Sequence, residues 1–367
     1  MRRALRIPGI GPADREAQRR RVMASIDQTV LAAAPPVVPV TFEQRTKNPL
    51  RPSTLDQMIG QARMRHLLRR MIDSAQGRGV PLDHLLLVGP SGFGKSTVAN
   101  IVANELGVDV FQVEAPVSHE TLLTLREQMH DRDVLFIDEI HQQAIMERRG
   151  RTTNTQPEVL FSIMEDRTLV SGMGVLAFPE ITLIGATTDE GMLPDPFINR
   201  FPIRPAFEPY TDVELGVMAH ENAEALDNTI SVEACLRFAQ ASRGTPRQIN
   251  NYVKMAASLA SGHIDEAGAL EVLDLQNVTH DGLTQDMQST LTFLAAKCER
   301  TTAEGDVKYQ ASIGRIATGI GKSRDSKAVA LRVEPWLIEQ GYLSAGHGGR
   351  ELTPMGVARA FELLTEG

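Results

Sequence analysis

Gly89, Gly94, Lys95 and Ser96 stand at the spacing G-x-x-x-x-G-K-S, within Gly89-Pro90-Ser91-Gly92-Phe93-Gly94-Lys95-Ser96-Thr97. Glycines at these places let the backbone wrap a phosphate with its N–H groups turned inward. A helix N-terminus behind the loop adds partial positive charge. Lys95 can then reach the β- and γ-phosphates of a nucleotide such as ATP, and the Ser96 hydroxyl can ligate Mg²⁺. Asp138 and Glu139 form a second candidate pair, closing the apolar run Val134-Leu135-Phe136-Ile137. Carboxylates that end a buried parallel strand emerge at the carboxyl edge of the sheet, beside the phosphate loop. There Asp138 would hold the Mg²⁺ shell, while Glu139 would orient and polarise the attacking water.

Three further residues fit the same chemistry. Thr188 ends the apolar run Ile181-Thr182-Leu183-Ile184-Gly185-Ala186, where a hydroxyl could touch the γ-phosphate or the water. Thr187 is an available neighbour, and Thr188 is preferred. Arg200 lies on the Pro-bounded segment Pro194-Asp195-Pro196-Phe197-Ile198-Asn199-Arg200-Phe201. It fits an arginine finger supplied by an adjacent subunit, an effect of about 10³–10⁵ in rate for GTPases. In Arg243-Gly244-Thr245-Pro246-Arg247, Thr245 can cap a helix that starts with Pro246. Arg247 would then oppose the helix dipole in the first turn, so it is expected to serve a bound triphosphate outside the helix.

These residues need a scaffold that brings loop ends together. Leu85-Leu86-Leu87-Val88, a strand near 109–113, and the runs ending at Asp138 and Thr187 alternate with helical stretches at 62–76, from Val98 to about Leu106, and near 118–130. That pattern predicts a parallel sheet covered on both faces. From Thr211 to about Thr279 the apolar spacing is helical throughout, which predicts a small all-α domain. From Gly282 onward, helical stretches at about 284–300, 309–318 and 325–340 precede Tyr342-Leu343, a glycine loop and Glu351-Leu352, the outline of a winged helix. The expected divisions are 1–48, an arginine-bearing arm with a Pro-rich linker; 49–210; 211–281; and 282–367.

At 367 residues the chain can build two or three cores. No apolar run reaches the roughly 18–20 residues needed to span a bilayer, and Cys235 and Cys298 lack metal-like spacing. A cytoplasmic protein with reduced, buried thiols is therefore expected. The net charge of −8 disfavours non-specific nucleic-acid affinity. Residues 1–34 nevertheless carry seven arginines against three acids, so any DNA contact should be local.

At the level of these motifs the chain resembles the AAA+ ATPases, and among them the RuvB family of Holliday-junction branch-migration motors. The similar stretches are Arg51-Pro52 with Leu55-Asp56 and Ile59-Gly60-Gln61, then Leu82-Asp83-His84-Leu85-Leu86-Leu87 and the phosphate loop. They continue in Leu135-Phe136-Ile137-Asp138-Glu139-Ile140-His141, Met164-Glu165-Asp166, Thr182-Leu183-Ile184-Gly185-Ala186-Thr187-Thr188, Gly244-Thr245-Pro246-Arg247, and Val333-Glu334-Pro335-Trp336-Leu337 with Gly341-Tyr342-Leu343. The resemblance implies an α/β AAA+ P-loop domain, a small all-α lid domain and a C-terminal winged helix. It gives Lys95 and Ser96 the Walker A role, Asp138 and Glu139 Walker B, Thr188 sensor 1, Arg200 the arginine finger and Arg247 sensor 2. Pro52, Ile59, Leu82 and His84 would line the adenine pocket, and Gly89, Ser91, Gly92, Phe93, Gly94 and Thr97 the phosphate cradle. The family assembles as a hexameric ring on duplex DNA and works with RuvA.

Several departures qualify that expectation. The hairpin that docks on RuvA is reduced here to Val170–Pro179, leaving a RuvA-like partner open. Gln142–Pro157 is expanded and carries Arg148, Arg149 and Arg151. Ile198 stands where the family has a second arginine near the finger. Ala345 and Gly348 replace two wing arginines, and Arg350 stays, so wing contact with phosphates should be weaker. Lys322, Arg324, Lys327 and Arg332, on or beside the third helix of the winged part, are the compensating DNA-contact candidates. Trp336 is expected in the winged-helix core. An ATP-hydrolysing DNA motor is the leading expectation. The alternative is an ATP-gated loader that places a partner protein on DNA. A small-molecule kinase would leave Arg200, Arg247 and the winged helix without a role.

Overall fold

A computed structural model of the chain describes residues 39, 48–143, 157–172, 174–301, 307–322, 326, 329–346 and 349–366. The arm expected over 1–48 and the arginines at 148, 149 and 151 thus lie almost wholly outside the described residues. The chain divides into two compact units, Met1–Tyr210 and Thr211–Gly367.

The first unit is built on α1 (Ala62–Arg78), β1 (Leu85–Val88), α2 (Lys95–Leu106), β2 (Val110–Glu114), α3 (His119–Gln128), β3 (Val134–Asp138), α4 (Pro157–Asp166), β4 (Thr168–Ser171), β5 (Gly174–Ala177), β6 (Thr182–Thr187) and α5 (Asp195–Ile198). The main sheet has the order β1-β6-β3-β2, and every pairing in it is parallel. Side chains alternate between its faces. Leu85, Leu87, Val134, Phe136, Ile184 and Ala186 pack with Leu68, Ile72, Val98, Ile101 and Val102. Leu86, Leu135, Ile137 and Leu183 pack on the other face with Leu122, Leu125, Leu160, Ile163, Phe197 and Phe201. Burial on both faces explains the uninterrupted apolar runs. Beyond β6 the chain returns alongside β1, with parallel bridges Leu85↔Ile203 and Val88↔Ala206. The separate hairpin β4–β5 has strands of four residues and shows exposed Val170 and Val175 opposite each other.

The second unit begins with α6 (Asp212–Glu224), β7 (Thr229–Ile230), α7 (Val232–Ala241), α8 (Pro246–Leu259), β8 (His263–Ile264) and α9 (Glu266–Leu275). The helical reading of this stretch overlooked only the two-residue parallel pair β7–β8. Next come α10 (Gln285–Lys297), β9 (Glu299–Thr301), β10 (Val307–Ala311), α11 (Ile313–Gly319), a π-helical turn at Val329–Val333, α12 (Glu334–Glu339), β11 (Leu343–Gly346), β12 (Gly349–Leu352) and α13 (Pro354–Glu366).

Two expectations for this part need correction. The helix read at 309–318 begins only at Ile313, where the Ser312 hydroxyl accepts from the Arg315 N–H. The preceding Val307–Ala311 is a strand, so the wing hairpin belongs to a four-stranded sheet, β11-β12-β10-β9. The third helical stretch, expected over about 325–340, includes a π-helical turn at Val329–Val333 that continues directly into α12. Its core gathers Leu283, Met287, Leu291, Leu294, Ile316, Val333 and Leu337, with Trp336 and Tyr342 packed against it. Cys235 and Cys298 are both free and buried, and burial raises both thiol pKa values. No helix among the described residues is long and apolar enough to cross a membrane.

Candidate active site

Because β1, β6 and β3 are neighbours, the residues that follow them meet at one sheet edge. The loop after β1 places Gly92 and Gly94 at φ 86° and 98°, left-handed values that glycine adopts without strain. Gly89 donates its N–H to the Thr187 carbonyl (3.2 Å), fastening the loop to β6. A side chain at Gly89 would meet Phe207 at 3.1 Å, which explains that glycine by close approach. Lys95 opens α2, is 7% exposed, and spans the loop to the carbonyls of Gly89 (2.7 Å) and Pro90 (3.1 Å). Ser96 and Thr97 occupy the first turn behind it. Gly94 supplies no side-chain cap, so the helix N-terminus faces the loop with its own amides.

Asp138 ends β3, and its Oδ1 accepts the Glu139 N–H (3.0 Å). Glu139 itself has φ 48°, the kind of strained backbone that surrounding packing must enforce. The Ile140 N–H bonding to the Ala186 carbonyl (2.8 Å) is part of that enforcement. The Thr188 hydroxyl donates to Glu139 Oε2 (3.2 Å). Thr187 is buried and its hydroxyl is engaged with Asp189 instead.

His141 was not singled out from sequence. Its Nδ1 lies 3.3 Å from Glu139 Oε2 and 3.0 Å from Thr187 Oγ1. A carboxylate only accepts, so Nδ1 must carry its proton, with Thr187 accepting from it and donating to the Asp189 carbonyl. The phrase Asp-Glu-Ile-His could have signalled this, since two residues past Glu139 the chain can fold back on the carboxylate. Ser96 and Asp138 offer hard oxygen donors suited to Mg²⁺, which binds through one or two protein oxygens plus substrate phosphates. The described residues contain no group of three or more His, Cys, Asp or Glu able to hold a metal ion.

Two of the four residues expected around adenine have other duties. Leu82 is buried in the core with Leu55 and Met58. His84 Nδ1 accepts the Leu183 N–H (3.0 Å), and its Nε2 faces the Met164 carbonyl (3.3 Å). Burial lowers its pKa despite the Met164 contact, in keeping with a neutral ring that donates from Nε2. Pro52 and Ile59 remain partly exposed. The Gln61 amide next to them clamps the backbone of Glu208 from both sides, at 2.7 and 2.9 Å.

Arg200 lies at the opposite edge of the sheet from the phosphate loop. Three residues after it, Ile203 joins the amino end of β1, donating to the His84 carbonyl (3.4 Å) and accepting from Leu86 (2.9 Å). The loop follows the carboxyl end of β1, four residues further on, roughly 10–13 Å away at the rise of a strand. Arg247 is exposed in the first turn of α8, in the other unit. Pro246 takes the first helical position as expected. Thr245 makes no cap bond; its hydroxyl turns back to the Arg243 carbonyl (3.4 Å).

The DNA-contact candidates diverge. Arg350 is half-buried and already paired: its Nε donates to Glu334 Oε1 (2.7 Å), because burial of Glu334 leaves that carboxylate needing a cation. Lys322 pairs with Asp286 (3.1 Å), an exposed contact that a phosphate could displace. Arg332 is exposed. Arg324 and Lys327 lie outside the described residues.

Residues 50–206 match the Holliday junction DNA helicase RuvB P-loop domain. Among curated proteins, the Holliday junction branch migration complex subunit RuvB of Rubrobacter xylanophilus is 33% identical, covering 87% of this chain and 88% of its own length. The protein of the same name from Streptococcus pneumoniae is 34% identical, covering 88% and 94% respectively. The solved Thermotoga maritima RuvB Holliday junction branch migration motor superposes with a TM-score of 0.68 at 28% identity, covering 87% of this chain and 99% of that one. With its parallel AAA+ P-loop sheet and its phosphate loop and carboxylates at one edge, this chain belongs to the RuvB family.

Proposed function

We propose that this protein is an ATP-hydrolysing motor that assembles as a ring, hexameric by family likeness, and moves duplex or branched DNA. The observation that carries the reading is the separation of Arg200 from its own phosphate loop by the length of β1. A chain built this way holds a nucleotide at one edge and offers an arginine at the other, so its pocket is completed by a second copy. In that pocket the loop amides and Lys95 neutralise phosphate charge. Glu139, steadied by Thr188 and His141, orients the attacking water and accepts its proton. Mg²⁺ held by Ser96 and Asp138 would neutralise charge developing between the β- and γ-phosphates. Residues 49–210 form the motor, 211–281 a lid that reports nucleotide state through Arg247, and 282–367 the DNA-facing winged helix. The setting is the cytoplasm.

Turnover should rise with DNA. Titrating ATPase activity with duplex, single-stranded and four-way junction DNA tests this, and activity indifferent to all three would refute it. Lys95→Ala should abolish nucleotide binding. Arg200→Ala should bind ATP without turnover and regain activity when mixed with Glu139→Gln. A loader is the second reading, favoured by the engagement of Arg350 with Glu334 in the wing. It predicts ATPase stimulation by a partner protein alone.

A further inference from the structure

We infer that Glu165 is a positioning residue for Arg200, and therefore acts on the pocket of a neighbouring copy; the inference rests on the proposed role of Arg200 at a subunit seam. The Arg200 guanidinium is held on three sides. Glu165 Oε2 accepts from Nη2 at 3.1 Å, and Oε1 stands 3.1 Å from Nε, an ion-pair contact without hydrogen-bond geometry. Nη1 donates to the Pro196 carbonyl. Cζ stands 3.9 Å above the centroid of the Phe161 ring. Phe161 and Glu165 are four apart on α4, so they share a helix face and form one platform. That platform is itself anchored, because the Met164 carbonyl meets His84 at the start of β1.

This arrangement matters chemically. Glu165 covers the Nε edge, where Nε is buried without a hydrogen-bond partner, while each terminal nitrogen keeps a second hydrogen for a planar, two-pronged grip on an anion. An unsupported arginine must lose its rotamer freedom when it docks. Glu165 and Phe161 remove most of that freedom beforehand, which is how a positioned group lowers a barrier.

Steady-state ATPase kinetics of the full-length protein with saturating duplex DNA test the inference. Glu165→Ala should lower kcat about ten- to a hundred-fold, the cost of misplacing a catalytic group by about 1 Å. KM for ATP should stay within about two-fold, because the variant's own loop and carboxylates are intact. Glu165→Gln, whose amide oxygen can still accept from Nη2, should lose less. Mixing Glu165→Ala with Glu139→Gln should restore turnover, as intact fingers from the second variant serve intact pockets of the first. Unchanged or increased kcat in Glu165→Ala would overturn the inference. So would a loss that mixing fails to restore while Arg200→Ala is restored in parallel, which would place the effect of Glu165 within its own chain. Failure of the Arg200→Ala mixture would refute the seam itself, and the inference with it.

Discussion

Replacing Gly185 with alanine should impair turnover without touching the nucleotide or any catalytic side chain. Gly185 lies in β6 between Leu86 of β1 and Ile137 of β3. A Cβ there would come 2.8 Å from Ile140 Cδ1, 3.3 Å from Ile140 Cγ2 and 3.4 Å from Leu86 Cδ1. Ile140 and Leu86 are fully buried, so the crowded methyl has nowhere open to turn. Overpacking of this kind costs about 1–3 kcal/mol, a fall in Tm of roughly 2–12 °C for a domain of this size. Ile140 is one peptide bond from Glu139, whose left-handed backbone already depends on the Ile140–Ala186 hydrogen bond. A displacement of about 1 Å at Glu139 should lower kcat about a hundred-fold, while ATP affinity stays unchanged because the phosphate loop is untouched. Stopped-flow nucleotide binding together with steady-state ATPase separates the two effects. Ile140→Val removes the clashing Cδ1 and alone costs about 0.5–1.5 kcal/mol. Added to Gly185→Ala it should restore much of the lost turnover. A double variant as impaired as the sum of the two single ones would refute the packing argument.

Stability should also respond to pH through His84, held neutral by burial with its pKa below the ordinary 6.5. The unfolded chain binds the extra proton more readily, so His84 costs nothing above 6.5 and destabilises as pH falls below it. Tm should therefore drop more steeply between pH 7 and about 5 in the wild type than in His84→Ala, and parallel curves would contradict this. In the second unit, Arg359 grips Asp281 through Nε and Nη2, both at 3.0 Å. Arg359→Met should cost about 2–4 kcal/mol by leaving that carboxylate half-desolvated. Burial alone would raise the Asp281 pKa, but hydrogen bonds from Arg359 and Thr279 outweigh it and bring it below 3.8. The stabilisation is thus complete above 3.8 and lost as pH falls through the lower folded value, so wild type and variant should converge in acid unfolding curves.

The parts of this site legible in the sequence are those fixed by short spacing. Gly89 to Ser96 needs only a strand before and a helix after. Asp138-Glu139 and Thr188 are marked by the apolar runs they end. What escaped are contacts between segments far apart in the chain. Glu165 and Arg200 are separated by 35 positions, and only the close packing of α4 and α5, through Phe161 and Phe197, unites them. Gly185 reads as one more small strand residue until Ile140 is seen above it. In the winged part, Ile313, Ile316, Ala317 and Ile320 carry a helical spacing, whereas Tyr309 and Gln310, inside the expected 309–318 stretch, belong to β10. Ser312 caps the helix and marks its true start. Thr353-Pro354 is an equally local start signal for α13, with the Thr353 hydroxyl accepting from Gly356 (3.1 Å), and that helix was not anticipated.

If Arg200 completes a neighbour's pocket, as proposed, its placement opposite the phosphate loop gives each copy a direction, a socket at one end and a key at the other. Copies joined by such a contact associate head to tail, and only a closed circle leaves no socket without a key. An open row of copies always has one idle pocket. Specific activity at dilution should therefore fall in proportion to the interfaces lost, and closure would make every subunit productive at once.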